Sequence, residues 1–161
     1  MTTVSLPNGD SFQITDFCPR FEQYGRIYRP AALFRMVEPL SGTPSIYPRL
    51  LSAHLRLGKR AGPIDSAAAA TCDTTFVGSP YACSPNMSLT YLCEESLVAL
   101  TSKMYFALTW RLGIEDDIVK VSHEFLDQTT KYWRTWVKHC SIPMLYQEEV
   151  IRSALALKLH C

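Results

Sequence analysis

Apolar and polar residues alternate in short runs over the first two thirds of the chain and recur at helical spacing only beyond Gly113. Val4-Ser5-Leu6 and Phe12-Gln13-Ile14-Thr15 flank Asn8-Gly9-Asp10. An Asn-Gly step between alternating runs predicts a tight hairpin, because both residues tolerate positive φ. Residues 32–38 predict a strand ended by Pro39. Residues 45–57, with Ile46, Tyr47, Leu50, Leu51 and Leu55, predict a long extended segment. Pro48 makes it an edge strand or interrupts it with a bulge. Residues 61–70 are rich in Gly, Pro and Ala and predict a loop. A short β-branched strand is expected over residues 74–77, closed by Gly78-Ser79-Pro80. Residues 88–93, 97–100 and 104–112 complete the set. Seven or eight short strands with turn signals between them predict a mainly antiparallel β-sandwich.

The pattern then changes period. Val121, Phe125, Thr129, Tyr132, Trp133, Trp136 and Val137 recur at three- and four-residue steps and predict a helix over residues 119–139. Glu115-Asp116-Asp117 precedes it, where carboxylates meet the positive end of the helix dipole. Arg134, Lys138 and His139 fall near its other end, which favours cations. Pro143 breaks the chain, and a second helix starts near Tyr146 with Gln147, Glu148 and Glu149 in its first turn. Val150, Ile151, Ala154, Leu155, Leu157 and Leu159 make that helix apolar on nearly every side. A helix of this kind belongs inside a larger α structure, so the pattern predicts a polypeptide that continues past Cys161.

Composition narrows the function. The chain has 161 residues, with 16 Lys+Arg against 15 Asp+Glu and a formal net charge of +1. That balance gives no electrostatic reason to expect nucleic acid or an acidic membrane as a partner. Arg49, Arg56, Lys59 and Arg60 read as a solvated face, since no aromatic platform is interleaved with them. No apolar stretch is long enough to span a bilayer. The first residues lack the basic and apolar regions of a secretory signal, so a cytoplasmic protein is expected. Cys18, Cys72, Cys83, Cys93, Cys140 and Cys161 show no C-x-x-C spacing and read as reduced, mostly buried thiols. Neither His139-Cys140 nor His160-Cys161 suits a metal, because neighbours on a helix point to different faces. No cofactor is implied.

No catalytic motif stands out. The chain contains no G-x-S-x-G, H-E-x-x-H, Walker loop or G-x-G-x-x-G. Its paired acids, Glu94-Glu95, Asp116-Asp117 and Glu148-Glu149, are sequence neighbours. A glycosidase pair lies across a scissile bond on separate elements, so such neighbours do not qualify. Asn86-Met87-Ser88 fits a glycosylation sequon, a triplet common by chance. Trp133 and Trp136 could form a sugar-stacking platform, but their spacing on one helical face reads first as packing between helix and sandwich.

The C-terminal third carries a resemblance. Tyr132-Trp133-Arg134-Thr135-Trp136-Val137, Ile142-Pro143 and then residues 147–159, with Arg152-Ser153-Ala154-Leu155 and Leu157-Lys158-Leu159, look like the start of the catalytic domain of glycoside hydrolase family fifteen. That family comprises glucoamylases and related bacterial trehalases and glucodextranases. Asp16-Phe17-Cys18-Pro19-Arg20-Phe21-Glu22-Gln23-Tyr24-Gly25-Arg26 and Arg35-Met36-Val37-Glu38-Pro39 resemble the N-terminal β-domain of its bacterial-type members. The match is weakest over residues 61–85.

The resemblance implies a β-supersandwich joined by a helical linker to an (α/α)6 toroid. On that map residues 1–117 are the later part of the sandwich, 118–144 the linker helix and connection, and 145–161 the first toroid helix. The remainder of the toroid would be the natural packing partner of residues 145–161. The implied chemistry is inverting hydrolysis of an α-glucosidic bond in an α-glucan or trehalose, by one carboxylic acid and one carboxylate, with no cofactor. The family's catalytic glutamates lie in later toroid segments, so the resemblance assigns no catalytic residue here. It implies a glycosidase fragment inactive alone. The alternative is a non-catalytic sandwich that binds carbohydrate or protein.

Overall fold

The computed structural model describes residues 1–48, 74–75, 81–88, 91–92, 96–110 and 113–160. In chain order the strands are β1 (Thr2–Ser5), β2 (Ser11–Phe17), β3 (Phe21–Gln23), β4 (Arg26–Tyr28), β5 (Ala32–Ser41), β6 (Ser45–Ile46), β7 (Thr74–Thr75), β8 (Tyr81–Pro85), β9 (Val98–Ala99) and β10 (Met104–Trp110). Two helices follow, α1 (Ile118–Lys138) and α2 (Gln147–Leu159). Six strands form one sheet in the order β1-β2-β5-β10-β8-β7; β3 pairs with β4 and β6 with β9. Every pairing is antiparallel. The chain is therefore mainly β with two C-terminal helices, as its patterning predicts.

The first hairpin closes where Asn8-Gly9 predicts. Gly9 has φ +89°. Asn8 Oδ1 accepts the Asp10 N–H at 3.1 Å, and the Leu6 N–H donates to the Asp10 carbonyl at 2.8 Å. These local bonds satisfy backbone groups that the tight reversal would otherwise strand. A second reversal joins β3 to β4, where the pattern predicts none. Tyr24 and Gly25 both have positive φ, +50° and +71°. This is the twisted two-residue turn that matches strand twist. Its sequence signal is the Gly after Tyr24.

Three expected boundaries shift. The strand expected to end at Pro39 runs on to Ser41. Pro39 has no N–H to give a ladder, and it faces Phe12 beside a register shift between Ser11 and Phe12. A bulge is where a strand tolerates proline. Of the long extended segment expected over residues 45–57, β6 covers only Ser45–Ile46, and residues 49–57 lie outside the described residues. The loop expected over 61–70 also lies outside them. Within the strand expected over 88–93, Tyr91–Leu92 are helical instead. The pattern predicts no strand at β8, which is five residues long and ended by proline.

Register sorts the side chains onto two faces. On one, Phe17 faces Phe34, Met36 faces Tyr105, and Ala107 faces Ser84 across their ladders. Phe34, Met36, Ala82, Ser84, Tyr105 and Ala107 are all buried there. Helix α1 covers this face with its apolar stripe. Phe125 sits at its centre, with ring centroids 5.3 Å from Phe21, 5.7 Å from Tyr28 and 5.6 Å from Phe34. Asp117 starts the helix by accepting the Val119 N–H at 2.9 Å, so one member of the expected acidic triplet is the cap. Glu115 and Asp116 lie ahead of the helix rather than in its first turn.

The opposite face carries Phe12, Ile14, Val37, Met104 and Phe106. The β6–β9 ribbon covers one end of it, where Val37, Leu100 and Met104 form a core cluster with Ile46, Met87 and Val98 packed around it. Gly42 makes the connection between β5 and this ribbon. It has φ +66°, and a Cβ there would collide with the Asp10 carboxylate. Gly9 also has positive φ but opens onto free space. Gly42→Ala is therefore expected to lose about 1–2 kcal/mol in urea unfolding, and more than Gly9→Ala. Equal losses would mean that the Asp10 side chain swings aside freely.

Candidate functional site

Two clefts stand out among the described residues, one on the six-stranded sheet and one between α1 and β3. The first lies on the face not covered by α1 and has a volume of about 500 Å³. Phe12, Ile14, Leu33, Val37, Phe106 and Leu108 form its floor, with Ile46 and Tyr47 at one side. Arg35 is the one charged residue among its described lining. Both Nε and Nη2 of Arg35 donate to Asp16 at 2.7 Å. The hydrogen bond to Asp16 raises the Arg35 guanidinium above its ordinary value, against an opposing effect of partial burial. The ion pair thus favours the charged guanidinium, and that charge is already matched. An apolar floor and a neutralised ion pair offer no acid–base chemistry.

The second cleft is polar and aromatic. It runs between α1 and β3 and has a volume of about 520 Å³. Gln128, Lys131, Tyr132, Thr135, Trp136 and His139 line it from α1, and Phe21 and Glu22 from β3. The helical residues fall at three- and four-residue steps, which puts them on one stripe. Thr129, one turn away, is buried, and its Oγ1 accepts the Arg20 N–H at 3.2 Å. That bond fixes β3 against the helix and sets the width of the groove.

The two tryptophans play different parts. Trp133 lies under the Arg20 guanidinium, with Cζ 5.5 Å from its ring centroid and 5.9 Å from that of Tyr132. Trp133 is thus a packing residue, in line with its helical spacing. Trp136 meets Trp133 edge to face at 6.1 Å and lines the groove. His139 is at the end of the same stripe. Its Nδ1 lies 2.7 Å from the Thr135 carbonyl. A carbonyl only accepts, so Nδ1 carries the proton and Nε2 of the neutral ring is an acceptor.

The acids are dispersed. Asp10 accepts from Asn8 Nδ2 at 2.8 Å, Asp16 holds Arg35, Glu38 pairs with Lys103 at 2.8 Å, and Asp117 caps α1. Glu148 and Glu149 sit in the first turn of α2. Glu94 and Glu95 lie outside the described residues. Glu22 is the single carboxylate of the α1–β3 groove, and neither cleft's described lining holds a carboxylate pair. Among the described residues no three His, Cys, Asp or Glu side chains gather as metal ligands would. Cys83 is buried, Cys140 half-buried and Cys18 exposed; Cys72, Cys93 and Cys161 lie outside the described residues. The expectation of mostly buried thiols therefore fails at Cys18.

The remaining sequence candidates have structural employment. Asn86, of the sequon, clamps the start of β10: Oδ1 accepts the Tyr105 N–H at 2.8 Å, and Nδ2 donates to the Lys103 carbonyl at 3.3 Å. His123 Nε2 meets the Tyr105 hydroxyl at 2.8 Å and ties α1 to β10. Arg49, His54, Arg56, Lys59 and Arg60 lie outside the described residues. Among the described residues no helix is long and apolar enough to cross a membrane. No family model matches the chain, and neither the curated proteins nor the solved structures include a significant match to it.

Proposed function

We propose that this chain is the β-domain, linker helix and first toroid helix of a glycoside hydrolase of the glucoamylase- and trehalase-like family fifteen, with no hydrolytic activity of its own. On this reading residues 1–117 are sandwich, 118–144 linker and connection, and 145–161 the toroid's first helix. The observation that carries it is the state of α2. That helix has no buried residue, and Leu157 and Leu159 are 73% and 60% exposed. An apolar helix with leucines this exposed calls for a helical neighbour. The order of elements agrees: an antiparallel sheet, then a 21-residue helix sealing one face, then a proline break and a second helix.

The parent reaction would be inverting hydrolysis of an α-glucosidic bond in an α-glucan or trehalose. It needs an acid and a base roughly 6.5–9.5 Å apart on opposite sides of the sugar. The commitments of Asp16, Glu38 and Asp117 leave neither of the described clefts with such a pair. The rest of the toroid would supply it and would cover α2. Cytoplasmic location belongs to the same reading, supported by the free thiols at Cys18 and Cys140.

The test is an assay of the purified chain on maltose, soluble starch and trehalose. Release of glucose at the background rate is expected for all three. Turnover well above background, abolished by mutating any acid of residues 1–161, would overturn the proposal. A second reading, a non-catalytic module that binds carbohydrate, is favoured by the mixed aromatic and polar lining of the α1–β3 groove. Sequence downstream of Cys161 separates the two. Further amphipathic helices favour the hydrolase; a stop codon with a monodisperse, sugar-binding product favours the module.

A further inference from the structure

We propose that the groove between α1 and β3 binds a short neutral oligosaccharide. A pyranose ring has an apolar C–H face and a rim of hydroxyls that both donate and accept. A complementary site needs an aromatic surface and mixed hydrogen-bonding groups around it. The groove has both. Trp136 supplies ring surface, with the buried Phe21 in the same lining, and Gln128, Thr135, Glu22 and Lys131 supply polar groups along the rim.

Three features give the groove its selectivity. First, it is pre-formed. The Arg20 guanidinium holds Trp133, and Trp133 meets Trp136 at an interplanar angle of 86°, which fixes the plane offered to a ligand. A ring already held loses little freedom on binding. Second, the rim is electrically balanced. Glu22 and Lys131 carry opposite charges, so an anionic or cationic sugar gains no net attraction. Third, His139 Nδ1 is taken up by the Thr135 carbonyl, so Nε2 is the ring nitrogen left to hydrogen-bond a sugar hydroxyl. With one carboxylate in its lining, the groove binds without cleaving. The volume of about 520 Å³ falls within the ordinary range of small-molecule pockets.

The inference stands on the groove and not on the hydrolase reading. That reading bears only on whether the preferred linkage is α. The test is calorimetric titration of the full chain with maltotriose, cellotriose and, as a charged control, triglucuronic acid. Saturable binding of a neutral trisaccharide is expected. Trp136→Ala should weaken it by at least about tenfold, and Gln128→Ala by about threefold. Gln128 is exposed, so its variant keeps the test open if Trp136→Ala does not fold. The proposal is overturned if no neutral trisaccharide binds, if both variants bind like the parent, or if only the charged control binds. Binding of cellotriose alone would uphold the groove while counting against an α-glucosidase parent.

Discussion

Replacing Phe34 by alanine is expected to destabilise the chain by about 3–5 kcal/mol, a large part of the stability of a domain this size. Phe34 is 1% exposed and among the largest fully buried side chains. It lies on β5, second from neither edge but between β2 and β10, so its backbone is paired on both sides. Its ring stacks on Phe17 at 5.3 Å and meets Phe125 of α1 edge-on at 5.6 Å. Removing it opens a void under the helix that neither neighbour fills, because both are held by ladders or helix geometry. Phe34→Leu keeps most of the volume and is expected to lose less than half as much. Urea unfolding followed by circular dichroism reads both. A small loss for Phe34→Ala would mean that α1 settles onto the sheet and that the aromatic cluster is less constrained than its geometry implies.

Phe34 also illustrates what the chain's pattern discloses and what it withholds. Alternation through Leu33-Phe34-Arg35-Met36-Val37 fixes the strand and its two faces. It does not reveal which face meets the helix, since Phe34 and Val37 are equally apolar. The answer lies in ladder partners distant in sequence, Phe17 and Ala107 for Phe34. Helix α1 is legible end to end, because its stripe and its Asp117 cap are both local signals. Strand β8 is not. Tyr81-Ala82-Cys83-Ser84-Pro85 alternates weakly, and its burial comes from pairing with β10 across more than twenty residues.

The α1–β3 groove was hidden for the same reason. Its helical residues share a stripe that reads as one face of an amphipathic helix. What brings Phe21 and Glu22 alongside it is the Arg20 N–H bond to Thr129 Oγ1, across 109 residues of sequence. The Trp133 and Trp136 pair was visible, but spacing alone could not separate their roles. What separates them is Arg20, which occupies the face of one and leaves the other to the groove.

Arg20 provides the second large effect, and the outcome depends on the replacement. The residue is 6% exposed, yet no carboxylate pairs with it among the described residues, and its Nε has no hydrogen-bond partner. Its guanidinium is compensated instead by two aromatic rings and by the Leu159 carbonyl, to which Nη1 donates at 3.4 Å. Leu159 ends α2, where the helix dipole is negative. Arg20→Ala removes this compensation and the packing stem together, and is expected to lose about 2–4 kcal/mol. Arg20→Met keeps the stem and removes a poorly paired buried cation, so its loss is expected to stay within about 1 kcal/mol. Arg20→Lys keeps the charge without the flat fork that stacks on rings, and should fall between them. Arg20→Ala and Arg20→Met both lose the bond to Leu159, so hydrogen exchange in α2 should quicken in these two while α1 stays protected. If Arg20→Met proves as damaging as Arg20→Ala, the cation–ring contact rather than the alkyl stem is what joins β3, α1 and α2.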